Sequence, residues 1–165
     1  MGALVLTGCT QVVGGTATPE SAAPPAAAAR PGLQSDVLTD ECLLTTAEIT
    51  RLVGRPVDAP AQGDVARGDG STGSSCVAAA GAEPVAMINV YRVRSGVPAD
   101  VVRSAVGRHD LRGVGDAAAV LDTVAGPTLQ VAGPRFLVTI LVAGRMPDDE
   151  AWRAAAAAAL GRLPA

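Results

Sequence analysis

The stretch at residues 85–93, with the sequence VAMINVYRV, decides the fold of this chain more than any other. Apolar residues occupy both of its alternating sets of positions, and the strongly polar exceptions are Asn89 and Arg92. Successive side chains of a strand point to opposite faces, so a strand with this pattern is covered on both faces. The stretch therefore predicts a central strand of a sheet.

Further strands are predicted before and after this stretch. Residues 76–80 form a short apolar run, whereas residues 60–75 are rich in Gly, Ser, Asp and Ala and predict a mobile surface loop. Three apolar runs separated by Gly-Pro pairs follow the central strand, at residues 117–121, 128–131 and 136–142. Runs separated in this way predict a meander.

The first helix has clear signals at both ends. Thr45 and Glu48 are spaced as a capping box, and Leu44 and Ile49 are spaced as a hydrophobic staple. Gly54 is a residue type that commonly ends a helix, so the helix is expected to stop there. Cys42, three positions before Thr45, is expected to fix the entry of this helix.

Two more helices are predicted further along the chain. Pro98 is placed to start one of them, and Gly107 to stop it. In the other, three acidic residues precede an apolar face and are favourable at the positive end of the helix dipole. The acidic residues are Asp148, Asp149 and Glu150, and the face comprises Trp152, Ala156, Ala159, Leu160 and Leu163.

These elements predict an α+β fold in the order α-β-β-α-β-β-β-α. The helices are expected to form a layer packed against a mostly antiparallel sheet, with one disulfide. A chain of 165 residues holds one ordinary core, and a single domain is predicted over residues 36–165. The core must consist of aliphatic side chains, because Phe, Tyr and Trp occur once each.

The composition excludes several classes of chemistry. All 13 basic residues are Arg, so the chain has neither a phosphate-loop lysine nor a Schiff-base amine, and this bias indicates a GC-rich genome such as that of an actinobacterium. His109 is the single histidine, which argues against a His-based metal site. The net charge is −3 and no basic stripe is present, so nucleic acid is not an expected partner. No cofactor and no metal are expected.

The beginning of the chain carries a lipoprotein signal. Leu6, Thr7, Gly8 and Cys9 match the lipobox of bacterial lipoproteins, in which the Cys receives a diacylglyceryl group and signal peptidase cuts before it. Residues 1–8 would then be the truncated end of a signal peptide, because a secretory signal needs a longer apolar region than residues 3–6 supply. Either the start codon lies upstream, or the chain is cytosolic and the match is accidental.

The composition after Cys9 favours the lipoprotein interpretation. Residues 9–35 are rich in Pro, Ala and small polar residues and have no hydrophobic periodicity. Such a stretch buries too little apolar surface to offset the entropy of ordering, so a disordered spacer is predicted. A frayed domain terminus would explain the Pro and Ala residues but not the Cys that precedes them.

Two cysteines remain once Cys9 is assigned to the lipid. Cys42 and Cys76 are 34 positions apart, and outside the cytoplasmic membrane such a pair is more often a disulfide than two thiols. A two-Cys metal site would need further ligands, and a redox pair normally has the shorter Cys-x-x-Cys spacing. A structural disulfide is therefore expected.

A few polar residues are candidates for a functional site. Gly113, Gly115 and Asp116 could form a binding loop, although Gly-rich turns are commonly plain turns. His109 and Asp110 could form an acid/base pair, but no nucleophile motif accompanies them. The serines at 71, 74 and 75 lie in the predicted loop without a nucleophile elbow, and the acidic run at 148–150 has too few ligands for Ca²⁺.

Taken together, the motifs resemble those of small actinobacterial cell-envelope lipoproteins that share a domain of unknown function. The resemblance covers nearly the whole chain, and it implies an envelope lipoprotein without supplying an active site. It departs at Val77 and Ala78, where the family often has an aromatic residue. The shared motifs are the lipobox, the Pro/Ala spacer, CLLT at 42–45 with Glu48, Cys76, VGDAA at 114–118, and the strand at 135–142 before an Ala-rich helix.

These observations predict a lipid-anchored protein on the extracytoplasmic side of the cell membrane. We expect a monomeric, non-catalytic binding or interaction module whose partners are the membrane, through the anchor, and another envelope protein or a lipid. A carrier of lipid or acyl chains is an alternative, and a metal-free envelope hydrolase using His109 is another.

Overall fold

The computed structural model describes residues 32–66 and 72–165. Within them the chain forms eight strands and three helices. The strands are β1 (Leu33–Gln34), β2 (Ala61–Ala66), β3 (Thr72–Ala80), β4 (Glu83–Val93), β5 (His109–Asp110), β6 (Ala117–Thr123), β7 (Gly126–Ala132) and β8 (Phe136–Val142). The helices are α1 (Thr46–Val53), α2 (Pro98–Ser104) and α3 (Asp149–Gly161).

The strands form one sheet in the order β2-β3-β4-β8-β7-β6-β5, and β1 pairs with the end of β4. Every described pair is antiparallel. The stretch at 85–93 lies in β4, which pairs with β8 at the centre of the sheet over seven residue positions from Ala86↔Val142 to Arg92↔Phe136. This central position agrees with its apolar pattern on both faces.

The two faces of the sheet are covered by different helices. Along β8, Val138, Ile140 and Val142 lie in the main core together with side chains of α1 and α3. Leu137, on the opposite face, lies in a smaller cluster with Ala99 and Val102 of α2. The alternation of strand side chains thus divides the core into two layers.

Local chemistry fixes the helix ends. The Thr45 hydroxyl accepts from the Glu48 backbone N–H while the Glu48 carboxylate accepts from the Thr45 N–H, so the predicted capping box is confirmed. Gly54 ends α1 in the left-handed conformation, as predicted. Asp148 caps α3 by accepting from the Ala151 N–H. Helix α2 stops at Ser104, before the predicted stop at Gly107.

The predicted order α-β-β-α-β-β-β-α is wrong, and so is the single layer of helices. The described order is β-α-β-β-β-α-β-β-β-β-α, and α2 lies on the face opposite α1 and α3. The prediction missed β1 and β5 because two residues are too few to show a period. It missed β2 and the first four residues of β3 because small polar residues, which are tolerated at a solvated sheet edge, gave a loop signal at 60–75.

The predicted disulfide is confirmed. Cys42 and Cys76 are bonded, with their Cα atoms 4.9 Å apart. Cys42 lies three residues before Thr45, the N-cap of α1, and Cys76 is buried in β3. The bond therefore fixes the entry of α1 to the sheet.

Several predictions concern residues outside the described ranges. The lipobox residues Leu6, Thr7, Gly8 and Cys9, the end of the signal peptide at 1–8 and most of the spacer at 9–35 lie there. Leu33 and Gln34, at the end of that spacer range, pair with Val93 and Arg92. In the described part of the chain, no helix is long and apolar enough to span a bilayer.

Candidate functional site

The single histidine lies beside the first turn of α3. Its Nε2 atom is 3.1 Å and 3.2 Å from the two carboxylate oxygens of Asp149. Arg153, one turn further along α3, donates to Asp149 Oδ2 at 3.1 Å. The Asp149 carboxylate thus contacts both Nε2 of His109 and the guanidinium of Arg153.

This pair lines a cavity of about 230 Å³ between the β5–β6 edge and α3. Trp152 forms one wall and is 1% exposed. Its indole N–H is buried with no hydrogen-bond partner among the described residues, which is an uncommon and costly arrangement. The other lining residues are Gly107, Val120, Asp122, Met146 and Pro147.

The arrangement can orient a histidine and bind a small polar group. A carboxylate bonded to one imidazole nitrogen fixes the orientation of the ring and leaves the other nitrogen available to a ligand. No Ser, Thr or Cys is among the residues that line the cavity. Nucleophilic catalysis needs such a side chain within hydrogen-bond reach of the base, so the lining supplies a base without its nucleophile.

His109 and Asp110, considered above as a possible acid/base pair, have different partners in the structure. Asp110 Oδ1 accepts from Arg108 Nε at 2.7 Å instead, and Asp149 takes its place beside His109. Asp149 was predicted only as a residue at a helix start. No local signal connects two residues 40 positions apart, since the contact depends on how α3 crosses the sheet edge.

The predicted binding loop borders a second, larger cleft. Gly115 and Asp116 line this cleft of about 390 Å³ at the end of α3, whereas Gly113 does not. Its walls are mainly apolar, because Leu160 and Leu163 face the segment at 133–136. We call it the α3 cleft. The remaining lining residues are Gly133, Pro134, Arg135, Phe136, Pro164 and Ala165.

Gly115 has a structural reason to be glycine. Its φ is +60°, and a Cβ atom there would lie 2.5 Å from the carbonyl oxygen of Ala132. The Asp116 N–H donates to that same oxygen at 2.8 Å. The close approach accounts for the glycine as a packing requirement, while a binding role for the loop stays a prediction.

A third cleft, of about 350 Å³, adjoins the α3 cleft. The two share Pro134 and Arg135 in their linings. Arg92 and Arg135 both line this third cleft, and both guanidinium groups approach the ring of Phe136, at 5.2 Å and 5.5 Å from its centroid. Nothing in the local sequence indicated this site, because Arg92 and Phe136 meet only through the register of β4 and β8.

The other candidate residues have structural partners or lie apart. Ser74 accepts from the Gln62 side chain, and the buried Ser75 hydroxyl donates to Asn89. Ser71 lies outside the described ranges. In residues 32–66 and 72–165, no group of three or more His, Cys, Asp or Glu side chains is placed to hold a metal ion.

The chain matches no protein-family model, no curated protein and no solved structure. The resemblance to actinobacterial lipoproteins therefore stays a prediction from short motifs.

Proposed function

We propose that this protein is a membrane-anchored extracytoplasmic lipoprotein whose domain is a non-catalytic binding module. The lipobox at 6–9 and the Pro/Ala spacer support the anchor. The disulfide between Cys42 and Cys76 supports an oxidising location outside the cytoplasm, because thiols are kept reduced inside it. The membrane is then the first partner, reached through the lipid on Cys9.

The observation that carries the binding role is the α3 cleft. Its volume of about 390 Å³ falls within the range of small-molecule sites, and apolar walls with a few polar groups are typical of them. Leu160 and Leu163 are half-buried, so an apolar ligand would remove further hydrocarbon surface from water. A lipid chain or an apolar segment of an envelope protein would fit this description, with the domain acting as a monomer.

An NMR titration of the ¹⁵N-labelled protein with a bacterial envelope lipid extract tests the binding role. We expect shifts at Gly133, Phe136 and Leu160 and none at Gly107 or Val120, which line the His109 cavity. The variant Leu163→Trp should fill the cleft and suppress the shifts. Val106→Trp is the matched control, since Val106 is 95% exposed and lines neither cavity. Unchanged spectra with lipid extract and with cell-wall peptides would contradict the proposal.

A metal-free hydrolase with water as the nucleophile is the second candidate, because Asp149 holds His109 in a cavity beside a buried indole N–H that has no hydrogen-bond partner among the described residues. Its test is hydrolysis of a soluble ester such as p-nitrophenyl acetate by wild type, His109→Ala and Asp149→Asn. A rate that falls in both variants would favour the enzyme. Equal rates in all three proteins would eliminate it.

A further inference from the structure

We propose that the α3 cleft and the adjoining third cleft, which Arg92 and Arg135 line and which we call the arginine cleft, together bind a single-chain anionic amphiphile. The tail would lie against Leu160 and Leu163, and the acidic head group between Arg92 and Arg135. The inference rests on the proposed binding role and specifies its ligand.

Arg92 supplies a cation with unused hydrogen-bonding capacity. It is opposite Phe136 in the pairing of β4 with β8, and its guanidinium lies 5.2 Å from the ring centroid. Its side chain is exposed, and no carboxylate in the described ranges forms an ion pair with it. A guanidinium stacked on an aromatic ring is oriented, while the N–H groups at its edge stay available to a ligand.

Arg135 places a second cation at the same ring. Its guanidinium lies 5.5 Å from the Phe136 centroid, and one terminal nitrogen donates to the Pro164 carbonyl at 2.8 Å. That hydrogen bond holds the side chain across the end of α3 and leaves its other donors for a ligand. Like Arg92, it has no carboxylate partner in the described part of the chain.

Two cations held beside one buried ring repel each other unless an anion lies between them. Phe136 is only 2% exposed, so the ring is a fixed platform rather than a mobile surface group. Arg binds carboxylate and phosphate groups through paired N–H donors, which makes an acidic head group the complementary partner. The side chains that line the arginine cleft include no carboxylate.

The apolar part of the ligand follows from the continuity of the two clefts. Pro134 and Arg135 belong to both linings, so the two clefts lie side by side, and a head group at the arginines would place its tail next to the apolar walls of the α3 cleft. The one acidic side chain in that lining is Asp116, which is exposed. The arginine cleft itself presents two guanidinium groups and no acidic side chain, which favours a negative head group over a neutral or positive one.

Calorimetric titration of the full chain with octanoate, octyl phosphate, butanoate and octyl glucoside tests this inference. Octanoate should bind about tenfold or more tightly than butanoate, because it buries additional methylene groups. Octyl glucoside has the same tail without the charge and should bind more weakly than octanoate. Comparing octanoate with octyl phosphate shows whether the arginines prefer a carboxylate or a phosphate.

The variant Arg92→Gln should weaken octanoate binding by roughly tenfold, the effect of removing a charge-assisted contact. Arg112→Gln is the matched control, since Arg112 is exposed and lines neither cleft. Thermal unfolding of both variants checks that the fold is retained. The binding of octyl glucoside should not change in either.

Equal affinity of Arg92→Gln and wild type for octanoate would overturn the inference, as would equal affinity for octanoate and octyl glucoside. In either case a cleft that still binds apolar chains leaves the proposed binding role standing. Octanoate that fails to bind, together with lipid extract that shifts Gly133, Phe136 and Leu160, would also overturn only the anionic-ligand inference.

Discussion

Glu48 joins the two helices on one face of the sheet. Its carboxylate accepts from both terminal nitrogens of Arg162, each at 2.9 Å, and Arg162 also donates to the Leu43 carbonyl at 2.7 Å. The hydrogen bond from Arg162, helped by those from Thr45, lowers the pKa of Glu48 from 4.5 to about 2. The charged carboxylate is therefore stabilised in the folded protein.

The first prediction concerns acid stability. A group whose pKa is lower in the folded state stabilises the protein above the unfolded pKa, and the effect disappears as pH falls from about 4.5 to about 2. The variant Glu48→Gln keeps the capping-box geometry without the charge, and at pH 7 we expect its free energy of unfolding to be lower by about 1 kcal/mol, since solvent screens a partly exposed pair. Urea unfolding at several pH values should show that the difference in unfolding free energy between wild type and Glu48→Gln shrinks as pH falls from about 4.5 to about 2. A difference in unfolding free energy that stays constant from pH 7 to pH 2.5 would contradict the lowered pKa of Glu48.

The second prediction distinguishes two glycines of the candidate binding loop. Both have positive φ, but a Cβ at Gly115 would meet the Ala132 carbonyl at 2.5 Å, whereas at Gly113 nothing lies within 4 Å. We expect Gly113→Ala to cost about 1 kcal/mol from backbone strain alone, and Gly115→Ala roughly 2 to 4 kcal/mol, because a close contact is added. Chemical denaturation measures both. Equal losses of unfolding free energy in the two variants would contradict a steric role for the Ala132 carbonyl at Gly115.

At the scale of elements, the sequence predicted segments whose pattern is local. The capping box at Thr45 and Glu48, the stop at Gly54 and the two-sided apolar runs in β4 and β8 were all recognisable. The edge strand β2, with the sequence AQGDVA, was not, because its residues are mostly small and Val65 is the one large apolar side chain, which gives no clear period-two signal. The side of the sheet on which α2 packs depends on the path of the connections, which no single segment encodes.

The third prediction concerns the link between α1 and β3. The disulfide closes a segment of 34 positions and should contribute about 3 to 4 kcal/mol by restricting the unfolded chain. We expect reductant to lower the unfolding temperature of wild type and to leave the double variant Cys42→Ser, Cys76→Ser unaffected. Wild type that unfolds identically with and without reductant would show that the bond does not stabilise the fold.

At the scale of the whole molecule, the candidate site could be predicted only in part. Gly115 and Asp116 were identified from the chain and do line the α3 cleft. Two contacts could not be predicted from the chain: that of His109 with Asp149 and that of Arg92 with Phe136. Each joins residues more than 35 positions apart, through strand register or helix placement. The chemistry of the site therefore emerges from the assembled sheet rather than from a motif.

The lipid anchor would keep the α3 cleft within reach of envelope lipids, so the proposed function depends on it. Two acyl chains on one Cys give stable membrane attachment, whereas a single chain gives only marginal binding. The variant Cys9→Ala removes the attachment point and leaves the described domain unchanged.

The presence of the anchor can be measured by mass spectrometry of the protein made from its own gene in an actinobacterial host, after separation of membrane and soluble fractions. We expect membrane-bound wild type that begins at Cys9 and carries a diacylglyceryl group on it, and Cys9→Ala protein without that mass. Soluble wild type that retains residues 1–8 and an unmodified Cys9 would contradict the lipid anchor and the proposed membrane location.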